Sequence, residues 1–297
     1  MNIAIIGGTG LLGSNLVKLY SYYNVRAFSR EQSYNINSAK NTTIDFNYLE
    51  CELIKYFDTW RPDIIINTVA NVNLQRCEDS FESANKINCD IAIKLSIISK
   101  KYSSYFVHIS TDHFFNDKSC FHNEEHPTVL LNNYAKTKYN AETGVKKHNK
   151  KSLIVRTNII GFRGRTEKSF FEWLLVALKE GEKINLYDNF YTSPISVNEL
   201  GVVIIKCYQK KLTGIYNIAS CEVISKYDFG IKMTNKFGYS AGGISKSKVN
   251  NGAGSELKRA LTLGLDVSKI ENNLDIKMPT IDQTLDVLYK EYIKHDE

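Results

Sequence analysis

The sequence has no long hydrophobic run and little proline, with only four prolines in 297 residues. A membrane-spanning helix needs about 20 consecutive apolar residues, so we expect no membrane partner. The apolar opening segment, residues 2–6, is too short for a signal peptide and has no charged residues before it. We interpret it as a first strand and expect a cytoplasmic protein.

Cysteine is also sparse, and the six cysteines are scattered without any Cys-x-x-Cys pair. Zinc ribbons and disulfide frameworks depend on closely spaced cysteines. The pattern therefore predicts reduced thiols, as in a cytosol, and no zinc site. Low-complexity blocks are absent from the sequence too, and its 43% hydrophobic and 24% charged residues are typical of a globular protein.

The net charge of +6 raises the question of a nucleic-acid partner. The lysines, however, occur in pairs at the ends of helix-like segments, where cations favour the negative end of the helix dipole and stay solvated. No interleaved aromatic residues or binding motif accompany them, so we expect no nucleic-acid partner. The pairs are Lys100-Lys101, Lys146-Lys147, Lys150-Lys151 and Lys210-Lys211.

The first part of the chain alternates short apolar runs with longer amphipathic segments. Strands that are apolar throughout and alternate with helices predict a parallel sheet covered on both faces. The fold class is therefore α/β, with a Rossmann-type doubly wound sheet. The predicted strands are residues 3–6, 25–28, 43–45, 63–67, 105–110 and 152–156, and the predicted helices are residues 11–22, 48–58, 82–102 and 132–149.

Beyond residue 160 the alternation becomes irregular, which predicts a second region. We expect a dinucleotide-binding domain at residues 1–160 and a smaller α/β substrate-binding region at 161–297 that returns some elements to the first domain. A polar, glycine-containing stretch at residues 245–255 predicts a mobile loop. Helices are predicted at residues 168–179, 197–210, 226–237 and 280–292.

Three glycines follow the first strand at Gly-x-x-Gly-x-x-Gly spacing, namely Gly7, Gly10 and Gly13. A dinucleotide site needs a sharp turn, close approach of the backbone to a pyrophosphate, and a helix packed tightly on the sheet. The N–H groups at the start of that helix would then bind the phosphates. The loop predicts a bound dinucleotide, with further contacts from Thr9, Leu11 and Leu12.

The residues at the end of the second predicted strand indicate which dinucleotide is used. A carboxylate there would bind the ribose 2′-hydroxyl of NAD, whereas an arginine would accommodate the 2′-phosphate of NADP. The strand ends in Ser29-Arg30 with no acidic residue, which favours NADPH. The alternative is that Arg30 is an ordinary surface residue and that NAD is used.

Tyr134 and Lys138 form a Tyr-x-x-x-Lys pair on a predicted helix, and four residues of separation place them on one face. A tyrosine that donates a proton at neutral pH needs its pKa lowered by about three units, or roughly 4 kcal/mol. A neighbouring ammonium and a positive nicotinamide ring can supply that stabilisation. Thr111 follows a predicted strand at the edge where ligands bind, and would hydrogen-bond a substrate carbonyl.

Taken in order, these motifs resemble the extended short-chain dehydrogenase/reductase superfamily, and within it the dTDP-4-dehydrorhamnose reductase family. The similarity is dense over residues 1–165 and thinner beyond. The residues that carry it are the glycine loop, Asn67-Thr68-Val69-Ala70, Ser110-Thr111-Asp112-His113-Phe114-Phe115 and Tyr134-x-x-x-Lys138, supported by Arg61-Pro62-Asp63, Asn88, Glu142, Arg156-Thr157 and Gly161.

The resemblance implies reduction of the C4 ketone of a nucleotide-linked 4-keto-6-deoxy sugar. Tyr134 would donate the proton, Lys138 would bind the nicotinamide ribose, and Thr111 would orient the carbonyl. Asn88 would support the lysine through water. Asn67, Val69 and Ala70 would line the nicotinamide side of the cofactor cleft.

Some positions depart from the family pattern around the sugar pocket. Asn71 and Val72 replace an aromatic residue and a threonine, and Ala260 replaces a proline. Some members bind magnesium through an acid two residues after the third glycine, where this chain has Asn15. We therefore expect no metal.

A sugar nucleotide is the expected partner, bound by a monomer or a homodimer, with arginines suited to its pyrophosphate. Two alternatives stand beside the reductase: a non-catalytic NADP-binding subunit like that of methionine adenosyltransferase, and a sugar-nucleotide epimerase or dehydratase. The candidate substrate contacts are His113, Asn158, Arg163, Arg165, Tyr191 and Arg259.

Overall fold

The computed structural model describes residues 1–31, 41–117, 119–164, 167–251 and 257–296. The chain divides into two compact units, and each of them is built from separate stretches of sequence. Unit 1 comprises Met1–Thr111, Asn132–Val155 and Gly201–Tyr216, and unit 2 comprises Asp112–Leu131, Arg156–Leu200 and Asn217–Glu297.

The described residues contain thirteen strands. They are β1 (Asn2–Ile6), β2 (Asn24–Ser29), β3 (Asn41–Thr43), β4 (Ile64–Asn67), β5 (Tyr105–Ile109), β6 (Leu153–Arg156), β7 (Asn158–Ile160), β8 (Ile184–Tyr187), β9 (Tyr191–Thr192), β10 (Pro194–Ser196), β11 (Gly214–Asn217), β12 (Ile224–Ser225) and β13 (Ile244–Ser247).

The helices include one π-helical segment, Lys86–Asp90, between α4 and α5. None of the described helices is both long and apolar enough to cross a membrane. They are α1 (Leu11–Leu19), α2 (Leu49–Trp60), α3 (Leu74–Asp79), α4 (Phe81–Asn85), α5 (Ile91–Lys101), α6 (Asn133–His148), α7 (Phe170–Glu180), α8 (Val197–Gln209), α9 (Lys226–Phe237), α10 (Ser268–Leu274) and α11 (Ile281–Asp296).

Unit 1 is built on a sheet with the order β11-β6-β5-β4-β1-β2-β3, which has seven strands among the described residues. The pairs from β6 through to β3 are parallel. Their side chains are apolar on both faces, as in Ile3 and Ile6 of β1 and Ile65 of β4, because helices cover both sides. The predicted doubly wound α/β fold is confirmed.

Residues far along the chain complete unit 1. Gly201 lies so close to α1 that a Cβ there would be 2.4 Å from Cδ2 of Leu19. Tyr20 donates its hydroxyl to the Gly201 carbonyl at 2.7 Å. Glycine at this position therefore lets the two helices pack closely, which brings the second half of α8 into unit 1.

The described residues of unit 2 contain three short strand pairs and a helical core. β7 pairs with β10 and β8 with β13, both in parallel, whereas β9 and β12 are antiparallel. Phe171 of α7, Phe229 of α9 and Leu285 of α11 belong to one buried cluster. Helix α7 begins at a capping box in which Ser169 and Glu172 satisfy each other's backbone N–H groups.

Several predicted elements differ from the structure, among them the third strand and the polar loop. The third strand lies at Asn41–Thr43 rather than 43–45. The predicted loop at 245–255 is wrong at its start, because residues 245–247 belong to β13 and pair with β8. The sequence of β13 is polar, so its strand state depends on that pairing and not on an apolar pattern. Residues 252–256 lie outside the described part of the chain.

Candidate active site

The loop between β1 and α1 has the shape that a dinucleotide requires. Gly7 has φ +94°, and a Cβ there would lie 2.7 Å from Oγ1 of Thr68. A Cβ on Gly13 would lie 2.3 Å from the Gly7 carbonyl oxygen. Both positions therefore need glycine. Within the described residues no side chain caps the start of α1 at Gly10, so its first N–H groups suit a phosphate.

Ser29 and Arg30 at the end of β2 have different environments. Ser29 is buried, and its hydroxyl lies 2.7 Å from the Glu31 carbonyl oxygen and 2.9 Å from Oδ1 of Asn41. The hydroxyl of Ser29 is therefore engaged in hydrogen bonds within the local structure. Arg30 is exposed, so of the two side chains it is the one placed to reach a 2′-phosphate. Both cofactor contacts stay predictions.

The turn after β4 is fixed by Asn67. Its buried amide donates to Nδ1 of His108 at 3.1 Å, and its Oδ1 accepts from the N–H of Val69 at 3.1 Å. Burial lowers the pKa of His108 well below its ordinary value, with the charge of Lys138 acting in the same direction. The neutral ring can therefore accept at Nδ1. Val69 and Ala70 follow in a half-buried segment, and their cofactor contacts stay predictions.

Helix α6 carries Tyr134 and Lys138 four residues apart, and both side chains are buried. The helix begins where Asn132 accepts the N–H of Ala135 at 2.9 Å, so Tyr134 lies in the first turn. Thr111 is buried two residues beyond the end of β5. Unit 1 thus contains all three predicted catalytic residues, and their roles stay predictions.

Lys138 is held at the end of β5. Its ammonium donates to the carbonyl oxygen of Ile109 at 2.7 Å, and the residue is only 1% exposed. Burial lowers the pKa of Lys138 to about 8, although the charges of Glu142 and Cys89 oppose that shift. Glu142 in turn accepts the hydroxyl of Ser110 at 2.6 Å. The lysine is therefore fixed in place, and its charged form is less favourable than in water.

Asn88 lies in the π-helical segment, a type of irregularity that is frequent at functional sites. Its Oδ1 accepts the N–H of Asn71 at 2.6 Å. Its amide donates to the Asn71 carbonyl at 3.1 Å and to Oγ1 of Thr137 at 2.9 Å. Asn88 therefore ties the segment after β4 to α6 between Tyr134 and Lys138. Its predicted support of the lysine through water stays a prediction.

In unit 2 a second polar cluster surrounds Asp112 and His113. Asn158 donates its amide to Oδ2 of Asp112 at 2.7 Å, and Nε2 of His113 lies 3.9 Å from Oδ1. Burial raises the pKa of Asp112 and lowers that of His113. Asn158 and His113 were both predicted to contact substrate, and the structure brings them together.

Lys226 belongs to the same cluster and was missed in the sequence. Its ammonium lies 4.1 Å from the ring centroid of Phe170. Burial lowers the pKa of Lys226 to about 8, opposed by the charge of Asp112. One signal was available, because Lys226 is the first residue of α9, where the helix dipole disfavours a cation. A lysine at the start of a helix therefore indicates a role other than stabilising that helix.

Of the other predicted substrate contacts that the structure describes, Arg259 lies at the cluster, whereas Arg163 and Tyr191 have different partners. Arg259 is half-buried and lowers the pKa of His113 by its charge, so it belongs to the cluster. Arg163 has Nη1 3.3 Å from Oε2 of Glu167. Tyr191 pairs with β12 through its backbone. Arg165 lies outside the described residues.

The model of one protein family, described as the RmlD substrate binding domain, matches residues 1–294. A probable low-salt glycan biosynthesis reductase, Agl14, from Haloferax volcanii is 24% identical over 297 residues and covers 96% of each chain. The match therefore extends well beyond the motifs of the first 165 residues.

Two solved structures have the same fold. A hypothetical dTDP-4-dehydrorhamnose reductase from Sulfolobus tokodaii is 30% identical with a TM-score of 0.81, over 96% of this chain and 98% of that one. The dTDP-4-dehydrorhamnose reductase of Bacillus anthracis, solved in complex with NADP, is 23% identical with a TM-score of 0.81, over 98% and 99% of the two chains. The family resemblance and oxidoreductase class predicted from the motifs are confirmed.

Proposed function

The chain belongs to the family of the RmlD substrate binding domain, and from that premise we propose that it reduces the C4 ketone of a nucleotide-linked 4-keto-6-deoxy sugar with NADPH. One observation carries the proposal: Tyr134 and Lys138 share a buried face of α6, and Lys138 is fixed to the Ile109 carbonyl. An acid that must work at neutral pH needs such a fixed cation beside it.

The reaction adds a hydride to C4 and a proton to the ketone oxygen, which yields a secondary alcohol. When NADPH is bound, it supplies the hydride. The chain supplies the proton from the hydroxyl of Tyr134, and the ammonium of Lys138 stabilises the tyrosinate that is left. Thr111 orients the ketone oxygen by donating a hydrogen bond.

Several features support NADPH as the reductant. The loop at Gly7 and Gly13 fits a pyrophosphate, and Arg30 is exposed at the end of β2, where a 2′-phosphate would be bound. The related Bacillus anthracis reductase was solved with NADP. Asn67 and Asn88 hold the segments after β4 and before α5 in fixed conformations.

Unit 2 supplies candidate groups for the substrate's pyrophosphate. Lys226 and Arg259 both act electrostatically on His113, so two cations lie near one imidazole. Charged donors of this kind are suited to phosphate oxygens. The relationship to a glycan biosynthesis reductase supports a sugar nucleotide used in glycan synthesis.

The test is NADPH oxidation with a panel of nucleotide-linked 4-keto-6-deoxy sugars. We expect turnover of at least one of them and a loss of 100-fold or more in kcat for Tyr134→Phe, with NADPH binding retained. Tyr139→Phe is the matched control, since Tyr139 lies on the same helix and is exposed. A Tyr134→Phe enzyme with normal kcat would show that another group donates the proton.

Two other outcomes would favour the alternatives. NADPH binding without turnover of any sugar would support a non-catalytic binding subunit. Interconversion of two sugars without net oxidation of NADPH would instead support an epimerase.

A further inference from the structure

Three metal-binding side chains meet in the segment between β5 and α6, within unit 2. Nε2 of His122 lies 2.9 Å from Oδ1 of Asp117, and Nε2 of His126 lies 2.5 Å from Oδ2 of the same carboxylate. The three ligand atoms that these residues offer all lie within 4.8 Å of one another. None of the three belongs to the proposed reductase chemistry.

His122 is fixed more firmly than a surface histidine would be. Its side chain is 0% exposed and stacks on Phe115, with ring centroids 4.4 Å apart and an interplanar angle of 2°. Its backbone N–H donates to the Gly264 carbonyl, and its carbonyl accepts from Asp266. A Cβ on Gly264 would lie 1.9 Å from the Cys120 carbonyl oxygen, so the two segments pack tightly there.

The second nitrogen of His122 also faces an acceptor. Nδ1 lies 2.8 Å from the carbonyl oxygen of Gly264, which cannot donate, so Nδ1 carries the proton. Nε2 lies 2.9 Å from the Oδ1 acceptor of Asp117, and release of its proton would leave a lone pair there for a cation. An imidazole that donates from one nitrogen to a carbonyl and offers the other to a cation is the usual arrangement of a histidine ligand.

We propose that Asp117, His122 and His126 form a binding site for a divalent transition-metal ion of the zinc type. Two imidazole nitrogens and one carboxylate oxygen supply three of four tetrahedral positions. The fourth is open to water, since the side chains of Asp117 and His126 are 42% and 26% exposed.

The dimensions are compatible with such an ion after a small adjustment. Ligand bonds of about 2.1 Å in a tetrahedron separate ligand atoms by about 3.4 Å. The observed separations of 2.9 and 2.5 Å are shorter, so Asp117 and His126 would move outward by less than about 1 Å. Both side chains reach solvent and can make that movement, while His122 stays in place.

No metal was expected from the sequence, because no Cys-x-x-Cys pair and no histidine pair near a cysteine was recognised and because Asn15 stands where some family members have an acid. The histidines are separated as His-x-x-x-His, a spacing found in zinc sites, with Asp117 five residues before the first. This histidine spacing was a signal that the sequence offered, but the position of Asp117 beside the pair could not be inferred because a carboxylate partner within a loop has no fixed spacing.

The test is calorimetric titration of the chelator-treated, tag-free full chain with Zn²⁺. We expect one ion per chain and at least a tenfold loss of affinity in both His126→Ala and Asp117→Asn. His148→Ala is the matched control, because His148 lies at the end of α6 in unit 1 and should leave the affinity unchanged. His122 is not substituted, since its stacking on Phe115 contributes to folding.

A second measurement separates ligation from folding. Co²⁺ bound by His126 and Asp117 should give a visible absorption band that Zn²⁺ displaces, and the band should be lost in the two ligand variants while their NADPH affinity is retained. Zn²⁺ binding that is equally tight in His126→Ala and in the parent would overturn the proposal, as would the absence of any stoichiometric binding. Neither result bears on the reductase activity.

Discussion

Among the described residues, each unit has one lysine whose pKa burial lowers to about 8, Lys138 in unit 1 and Lys226 in unit 2. The two differ in what faces the ammonium. Lys138 donates to a backbone carbonyl at the end of β5, a partner that cannot move or change its charge. Lys226 lies over the ring of Phe170 with the carboxylate of Asp112 as the opposing charge.

The difference separates two uses of a buried cation. A single directed hydrogen bond to a carbonyl fixes the position of the charge, which suits a group that must stay beside a reacting tyrosine. The face of a ring attracts the charge without using a particular N–H direction, so the ammonium can turn its donors toward an anion. Lys138 is therefore expected to determine rate, and Lys226 to determine substrate affinity.

The largest expected effect is on turnover. Lys138→Met should lower kcat by 100-fold or more, because Tyr134 loses the cation that makes it an acid at neutral pH. Lys136→Met is the control, since Lys136 is exposed on the same helix and bonds to Asn133. Steady-state kinetics at saturating NADPH measure the effect. If both variants lost the same rate, Lys138 would have no special role.

The next effect is on stability and follows from the sign of the pKa shift. The folded pKa of Lys138, about 8, lies below its ordinary value of 10.5. The free-energy cost of burying the charged ammonium of Lys138 is thus fully present below about pH 8 and disappears as the pH rises to about 10.5. Over this window the parent should gain up to about 3 kcal/mol in unfolding free energy relative to Lys138→Met. Urea denaturation at several pH values measures the unfolding free energies of the parent and of Lys138→Met. A difference between the two that does not change with pH would refute the buried charge.

The smallest expected effect concerns Lys226. Lys226→Met should raise KM for the sugar nucleotide about tenfold, or about 1.4 kcal/mol, and leave kcat within a factor of three. Lys232→Met is the control, because Lys232 lies on α9 but pairs with Asp282 at the surface. A loss of kcat with unchanged KM would contradict the assignment of substrate affinity to Lys226 and of rate to Lys138.

The sequence predicted one of these lysines and missed the other for a physical reason. Tyr134 and Lys138 are four residues apart, and one helical turn is enough to place them together. Burial of Lys226 depends on Phe170 of α7 and on Asp112, which are distant in sequence. The predicted helix at 226–237 was confirmed in its bounds, but the packing around its first residue could not be inferred from its pattern.

The same contrast holds for the fold. The central strands of unit 1, such as β1, β4 and β5, were predicted because their residues are apolar on both faces, whereas β11 was not predicted and β13 was missed because its state depends on pairing with β8. The predicted helix at 82–102 is interrupted by the π segment at Lys86–Asp90. A π-helical segment adds one residue to the helical turn, and hydrophobic periodicity cannot show that addition. Asn88, which was predicted from the family resemblance, lies within this segment.

The composite origin of unit 1 has a consequence during protein synthesis. The outermost strand, β11, adds to β6, and Tyr105 of β5 donates its hydroxyl to the Leu212 carbonyl. A ribosome that has released only the first 160 residues therefore presents β6 as an unpaired edge, which invites association with other chains. The sheet of unit 1 is complete only when about 60 more residues have emerged, at roughly 5–20 residues per second, so the edge of β6 stays without its partner strand for several seconds of each synthesis.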